Sequence, residues 1–179
     1  MQSEYGMIHG RFQPFHNGHL EYLRAARDLC QTLIIGITNP DPTAIIEDAA
    51  SQHRHLPDAN PYTYFERLLM LREVLRDEGI APESIIIPFP VNDPARWPYY
   101  IPRDAVHYLR VFSEWEQAKV DRLREYGYTV EVLHPGIAKE IEASEVRRRM
   151  ANGQDWQSLV PSAVARVIER LRDGAATRR

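Results

Sequence analysis

The sequence predicts an α/β fold in which a doubly wound, parallel, five-stranded sheet is followed by C-terminal helices. Apolar runs rich in β-branched residues, of the kind buried on both faces of a parallel sheet, recur along the chain. Helical patterns separate these runs, and strands that alternate with helices favour parallel pairing. The 179 residues are enough for one full core, so we predict a single domain over residues 1–179.

Three strands and two helices are predicted in the first half of the chain. The strands cover residues 7–10, 32–38 and 84–89. The first helix is indicated by an apolar repeat at Leu20, Leu23, Ala26 and Cys30. Cys30 is the only cysteine, so a disulfide framework is excluded and this residue is expected in the core, on the first helix.

The second helix is expected to begin at Asn60-Pro61, where a capping side chain precedes a proline, and to end at Gly79. Its predicted core positions are Phe65, Leu68, Leu69, Leu71 and Leu75. The polar loop before it, residues 39–60, contains His53, Arg54 and His55. A loop of this length is either a substrate lid or a surface excursion, and both alternatives stay open.

The second half predicts strands at 106–112 and 128–133, with a helix at 115–126 between them and two further helices towards the C-terminus. Proline and aromatic residues crowd residues 88–102, which follow the third strand. Ligands bind at the carboxyl ends of strands in open α/β sheets. Trp97 either stacks there on a planar ring or covers the edge of the core, and we favour the first.

Composition and charge limit the partners of the protein. A formal charge of -3 gives no general attraction to nucleic acid, so an anion site must be local. No apolar run is long enough to cross a bilayer, and the N-terminus lacks the pattern of a signal peptide. We therefore expect a cytoplasmic protein without nucleic-acid or membrane partners, and leave open whether it forms a homo-oligomer.

The most informative stretch is Gly-Arg-Phe-Gln-Pro-Phe-His-Asn-Gly-His at residues 10–19, on a predicted strand-to-helix turn. The N–H groups and dipole of a helix start attract anions, phosphate above all. Arg11 adds positive charge, and His16 and His19 project from one side of the helix. Gly10 and Gly18 permit close approach of a ligand. Taken alone, the paired histidines favour a capped turn with solvated side chains, and a metal site is the second interpretation.

A second anion cradle is predicted at residues 141–150. Ser144 can cap a helix there, and Arg147 follows three residues later on the same side. A guanidinium beside a helix N-terminus favours a phosphate. In isolation, however, consecutive arginines are more typical of a solvated helix face.

Together the two stretches resemble the two signatures of the HxGH nucleotidylyltransferases, in the form found in archaeal-type nicotinamide mononucleotide (NMN) adenylyltransferases. The second matches the closing motif Ile-Ser-x-Thr/Ser-x-x-Arg. The resemblance implies a Rossmann-like fold and transfer of a nucleoside monophosphate from a nucleoside triphosphate to a phosphate or phosphonate acceptor. Pyrophosphate leaves by in-line attack, without a covalent enzyme intermediate. A non-catalytic nucleotide-binding regulator on the same fold is the alternative of another class.

The resemblance also implies roles for individual residues. The catalytic residues would be His16, His19, Arg11 and Arg147. Nucleotide contacts would come from Gly10, Phe12, Gln13, Gly18 and Ser144. The acceptor would meet Trp97, Arg54, His55 and Asn39. Arg148 and Arg149 are expected to be structural, and no residue is assigned as a metal ligand because Mg²⁺ is expected to arrive with the nucleotide.

Three departures from the NMN-specific pattern concern the acceptor. Ala59 stands where an arginine is expected to bind its phosphate, Ser113-Glu114-Trp115 replaces Ser/Thr-Gly-Asn, and Glu142 replaces a serine. Losing an arginine that pairs with a phosphate costs on the order of 2 kcal/mol or more. The departures fit a different or smaller acceptor. By resemblance to cytidylyltransferases that act on phosphonoformate-like acceptors, we favour CMP transfer from CTP to a small phosphonate. ATP with NMN is the second candidate.

Overall fold

A sheet of five parallel strands in the order β3-β2-β1-β4-β5 forms the centre of the protein. The structure is a computed structural model that describes residues 2–41, 43, 56–133 and 141–177. The strands are β1 (Ser3–Gly10), β2 (Cys30–Thr38), β3 (Ser84–Phe89), β4 (Val106–Leu109) and β5 (Thr129–Val132). Because the chain winds outward from β1 in one direction and then in the other, the predicted doubly wound, Rossmann-like α/β fold is confirmed.

Among the described residues, five α-helices cover the sheet or follow it. They are α1 (Asn17–Arg27), α2 (Tyr64–Asp77), α3 (Glu114–Glu125), α4 (Ala143–Ala151) and α5 (Ser162–Thr177). Short 3₁₀ helices occur at Pro57–Ala59, Pro94–Tyr99 and Gln157–Leu159. In the part of the chain that the structure describes, every helix is too short or too polar to cross a lipid bilayer.

The two faces of the sheet bury two separate apolar cores. Ile8 of β1 packs into the first core, with residues of α1, α2 and α5. Its neighbour Met7 packs into the second core, with α3 and the 3₁₀ helix that contains Trp97. Successive side chains of a strand point to opposite faces, so the central strands need apolar residues at every position. This requirement explains why the strands were recognisable as continuous apolar runs.

The start of α2 differs from the prediction. The helix begins at Tyr64, capped by Thr63, whose side chain and that of Glu66 form a reciprocal capping box. That box determines the boundary in place of Asn60-Pro61. Phe65 lies in the first turn, at the margin of the buried stripe, and is 63% exposed. Its predicted core position is therefore wrong.

Other boundaries also differ from the prediction. Cys30 is buried as predicted, but as the first residue of β2. Strand β4 ends at Leu109 because its partner β5 ends at Val132, leaving no ladder for residues 110–112. Helix α4 begins at Ala143 with Glu142 in the N-cap position, so the predicted cap Ser144 lies within the first turn.

Candidate active site

The first signature lies at the carboxyl edge of the sheet, between β1 and α1. Strand β1 sits between β2 and β4, and the chain reverses its winding direction there. Open α/β sheets bind their ligands at this topological switch point. His16 is the extended N-cap residue of α1. The signature therefore surrounds the positive end of a helix, as the sequence predicts.

The two signature histidines form a stacked pair. Their ring centroids are 3.6 Å apart and the rings are inclined by 24°. The backbone N–H of His16 donates to Nδ1 of His19 at 3.3 Å, so the hydrogen of a neutral His19 ring resides on Nε2. A Cβ atom at Gly18 would lie 3.2 Å from the His16 ring. Glycine at this position therefore permits the stack. The ring nitrogen Nε2 of His19 carries the hydrogen that this side chain can donate.

Two arginines join distant parts of the chain to the signature. Nη1 of Arg147, on α4, donates to the carbonyl oxygen of Gln13 at 2.6 Å. Nη1 of Arg110, just after β4, donates to the carbonyl oxygen of Gly18 at 3.0 Å. The two predicted anion cradles thus come together at one site. Arg110 was not predicted; the usable signal was a lone arginine inside the apolar run of residues 106–112.

Arg67, also missed in the sequence, holds the floor of the site. Its guanidinium is buried and donates to the carbonyl oxygens of Arg11, Thr38 and Asn39 at 2.8, 2.7 and 2.8 Å. Nε donates to the carbonyl oxygen of Thr63 at 3.2 Å. Burial lowers the pKa of Arg67 to about 10, which leaves it cationic at neutral pH. The sequence signal was a lone arginine within the apolar stripe of α2.

Phe12 and Gln13 shape the turn from inside. Both are buried, and the Phe12 ring packs edge-on against His19 with centroids 5.0 Å apart. The Gln13 amide donates to the carbonyl of Tyr62 at 2.8 Å and accepts from its N–H at 2.9 Å. Both side chains are thus held in the interior, and the nucleotide contacts assigned to Phe12 and Gln13 stay a prediction. Gly10 is required by Phe12, whose ring would lie 2.9 Å from a Cβ atom there.

The second predicted anion cradle, at residues 141–150, contains one exposed hydroxyl and several arginines. Ser144 is exposed, and its hydroxyl lies 3.2 Å from a carboxylate oxygen of Glu142. A phosphate contact of Ser144 stays a prediction. Arg148 and Arg149 each bind Glu145 at 2.8 Å, in agreement with the structural role expected for them.

A cavity of about 210 Å³ lies beside the signature, on the α3 side of β1. Its lining includes His9, Trp97, Glu114, Trp115, Lys119 and Arg122. The Trp97 ring is only 1% exposed, packs on Phe89 with centroids 5.9 Å apart, and donates its N–H to the carbonyl of Pro90. Trp97 is therefore a wall of the cavity that belongs to the core, and it does not offer the open face for stacking that we favoured.

Of the other residues predicted to contact the acceptor, Asn39 lies in the described part of the chain, and Arg54 and His55 do not. Asn39 directly follows β2 and has a left-handed backbone (φ 50°) and a half-buried side chain. Arg54 and His55, together with the neighbouring His53, lie outside the described residues.

The burial of His107, next to the cavity, predicts that the free energy of unfolding depends on pH. His107 is fully buried, and burial lowers its pKa to about 4. Between about pH 6.5, the ordinary pKa of histidine, and pH 4, this side chain is protonated in the unfolded chain and neutral in the folded chain. We expect this group to lower the free energy of unfolding by about 3 kcal/mol over that interval and by nothing above it.

The measurement is urea unfolding from pH 7.5 to 4.5 for the wild type and His107→Leu. The variant should lose less stability than the wild type as the pH falls. Parallel stability curves for the two proteins would contradict the assignment to His107.

Known proteins resemble the chain over most of its length. The cytidylyltransferase-like family matches residues 7–149. Phosphonoformate cytidylyltransferase of Streptomyces viridochromogenes is 46% identical over 92% of this chain and 90% of its own. Nicotinamide-nucleotide adenylyltransferase of Thermococcus onnurineus is 32% identical over 93% of this chain and 83% of its own.

A solved structure supports the fold. A bifunctional NMN adenylyltransferase/ADP ribose pyrophosphatase from Francisella tularensis superposes with a TM-score of 0.64 at 18% identity, covering 89% of this chain and 45% of that one. The family match includes the signature, the sheet and most of α4 in one continuous segment. The chain therefore belongs to the cytidylyltransferase-like family, and it is an HxGH nucleotidylyltransferase.

Proposed function

We propose that the protein transfers CMP from CTP to a phosphonate oxygen of a small, carboxylated phosphonate of the phosphonoformate type, with release of pyrophosphate. The observation that carries this proposal is the 46% identity to a phosphonoformate cytidylyltransferase, which extends over 92% of the chain. Identity to a nicotinamide-nucleotide adenylyltransferase, 32%, is clearly lower at similar coverage. That second likeness keeps NAD formation from ATP and NMN as the alternative.

The cavity supports a small anionic acceptor. Its volume of about 210 Å³ is below the roughly 300–1,000 Å³ of pockets that hold drug-sized ligands. Lys119 and Arg122 contribute positive charge to its wall. Glu114 and Trp115, two residues of the departure from Ser/Thr-Gly-Asn, line the same cavity. Larger side chains at these positions leave less room for a nucleotide acceptor such as NMN.

The reaction needs positioning and charge stabilisation, with no enzyme nucleophile. A phosphonate oxygen of the acceptor attacks the α-phosphorus of CTP, and the bond from that phosphorus to the bridging oxygen of pyrophosphate breaks. His16 and His19, at the N-terminus of α1, would donate to the phosphate oxygens as negative charge shifts towards the leaving group. Arg11 and Arg147 would neutralise the remaining charge.

Magnesium is proposed to enter with the nucleotide. The described ranges hold no group of three or more His, Cys, Asp and Glu side chains arranged around a metal ion. Arginine and histidine donors suit phosphate oxygens, whereas Mg²⁺ prefers carboxylates, phosphates and water. We therefore treat MgCTP as the substrate and assign no protein ligand to the ion.

The test is pyrophosphate release with Mg²⁺ for ATP and CTP, each combined with NMN and phosphonoformate, with His19→Asn as the blank. We expect turnover with CTP and phosphonoformate. Turnover with ATP and NMN alone would make the protein an NAD-forming enzyme and overturn the proposal. Failure of all four combinations would favour an acceptor of another kind or a nucleotide-binding regulator.

A further inference from the structure

His9 is a buried side chain that the proposed reaction has not yet used. It lies at the carboxyl end of β1, two residues before Arg11, and lines the cavity. Only 5% of its surface is exposed, and neither ring nitrogen has a hydrogen-bond partner within the described residues. Leaving such a group unsatisfied costs free energy, because the ring nitrogens lose their bonds to water without replacement. A polar ring kept at this cost beside a cavity points to a ligand that completes its bonding.

The surroundings of His9 select an anion. Lys119 and Arg122 line the same cavity, and Nζ of Lys119 lies 4.6 Å from the centroid of the Trp115 ring. Burial, then the charge of Lys119, then His107 lower the pKa of His9 well below its ordinary value. The ring is therefore neutral at pH 7 and carries one N–H donor. A single donor near two cations is suited to a carboxylate oxygen.

The position of His9 decides which end of the acceptor it meets. The phosphonate oxygen that attacks CTP has to reach the phosphates at the start of α1, next to Arg11. In phosphonoformate the carboxylate is bonded directly to the phosphonate phosphorus. We therefore place the carboxylate in the adjoining cavity, which His9 of β1 lines.

Resting on the proposed function, we infer that His9 binds the acceptor's carboxylate and is the residue that favours carboxylated phosphonates over phosphonates without this group. Phe89 fixes the ring from one side, with centroids 5.3 Å apart, and His107 from another, at 6.2 Å. Both neighbours belong to the buried interior. The imidazole is thus held in place before the acceptor arrives, which reduces the cost of ordering on binding.

The test compares two acceptors with the same nucleophile, phosphonoformate and methylphosphonate, in CTP-dependent pyrophosphate release. For His9→Phe we expect KM for phosphonoformate to rise about tenfold, as expected for a lost hydrogen bond to a charged group. KM for CTP and turnover of methylphosphonate should stay near the wild-type values. His9→Gln, which retains an N–H donor, should restore part of the preference.

Folding supplies an independent readout. Phenylalanine removes two unsatisfied nitrogens, so His9→Phe should keep or raise Tm while phosphonoformate binding weakens. Replacing a residue with only a structural role would lower Tm and weaken phosphonoformate binding together. His107→Phe is the matched control: the cavity lining does not include this equally buried histidine, and KM for phosphonoformate should change less than about threefold.

The outcomes distinguish the two proposals. A wild-type enzyme that fails with CTP and phosphonoformate overturns the proposed function and this inference with it. A wild type that works, with an unchanged acceptor preference in His9→Phe, overturns the inference alone. Equal loss for both acceptors, or a rise in KM for CTP, would also overturn it. If His9→Phe does not fold, an unchanged preference in His9→Leu, which also lacks a donor, is the decisive contrary result.

Discussion

Replacing His19 by alanine is expected to lower kcat at least about a hundredfold, with only a small loss of CTP binding. The structure supplies the reason. Nδ1 of His19 accepts the N–H of His16, which leaves Nε2–H as the donor at the positive end of α1. A donor that gains strength as charge moves onto the leaving group acts mainly on the transition state. Steady-state pyrophosphate release and CTP titration separate the two effects.

His19→Asn is the matched control for this prediction. The Oδ1 atom of asparagine takes the place of Nδ1 and can accept the His16 N–H, but no donor remains at the position of Nε2. We expect a wild-type Tm and a kcat as low as in the alanine variant. Wild-type turnover in His19→Ala would remove His19 from the catalytic centre.

Replacing Arg67 by methionine is expected to lower the free energy of unfolding by about 3–5 kcal/mol. The change leaves the carbonyls of Arg11, Thr38, Asn39 and Thr63 without their buried, charged donor. Two of these carbonyls belong to loops at the carboxyl edge of the sheet, so turnover should also fall. Urea unfolding and the pyrophosphate assay measure the two effects.

Two further variants test whether the loss of stability comes from the buried guanidinium of Arg67. Arg67→Lys keeps the charge but loses the planar fork, and an intermediate loss of about 2 kcal/mol is expected. Arg166→Met breaks an exposed ion pair with Asp77 and should cost less than about 1 kcal/mol. A methionine variant of Arg67 that is as stable as Arg166→Met would contradict the role described for Arg67.

The sequence was most informative where one physical requirement acts over several neighbouring residues. A strand buried on both faces needs an unbroken apolar run, so the order of strands and helices was readable in advance. The two anion cradles were readable because a helix start with histidine or arginine beside it is a local arrangement. The contact between Arg147 and the carbonyl of Gln13 confirms that they meet across 134 positions of the chain.

Contacts that depend on the packed structure were not readable. Gln13 looked like a polar group of the site, but both ends of its amide bind the backbone of Tyr62. Trp97 looked like a stacking platform, but it fills the core. Conversely, Arg67 gave only one local signal, its position within the apolar stripe of α2, and His9 looks ordinary in its segment. The importance of both residues arises from contacts and burial in the packed structure.

Three arginines from separate elements, Arg67, Arg110 and Arg147, hold carbonyl oxygens of the signature loop. Every amino acid provides a backbone carbonyl, so this framework depends little on which side chains surround it. We expect substitutions in the cavity wall to change the acceptor while this framework keeps the geometry of the turn. Relatives at 46% and 32% identity carry the names of transferases with different acceptors.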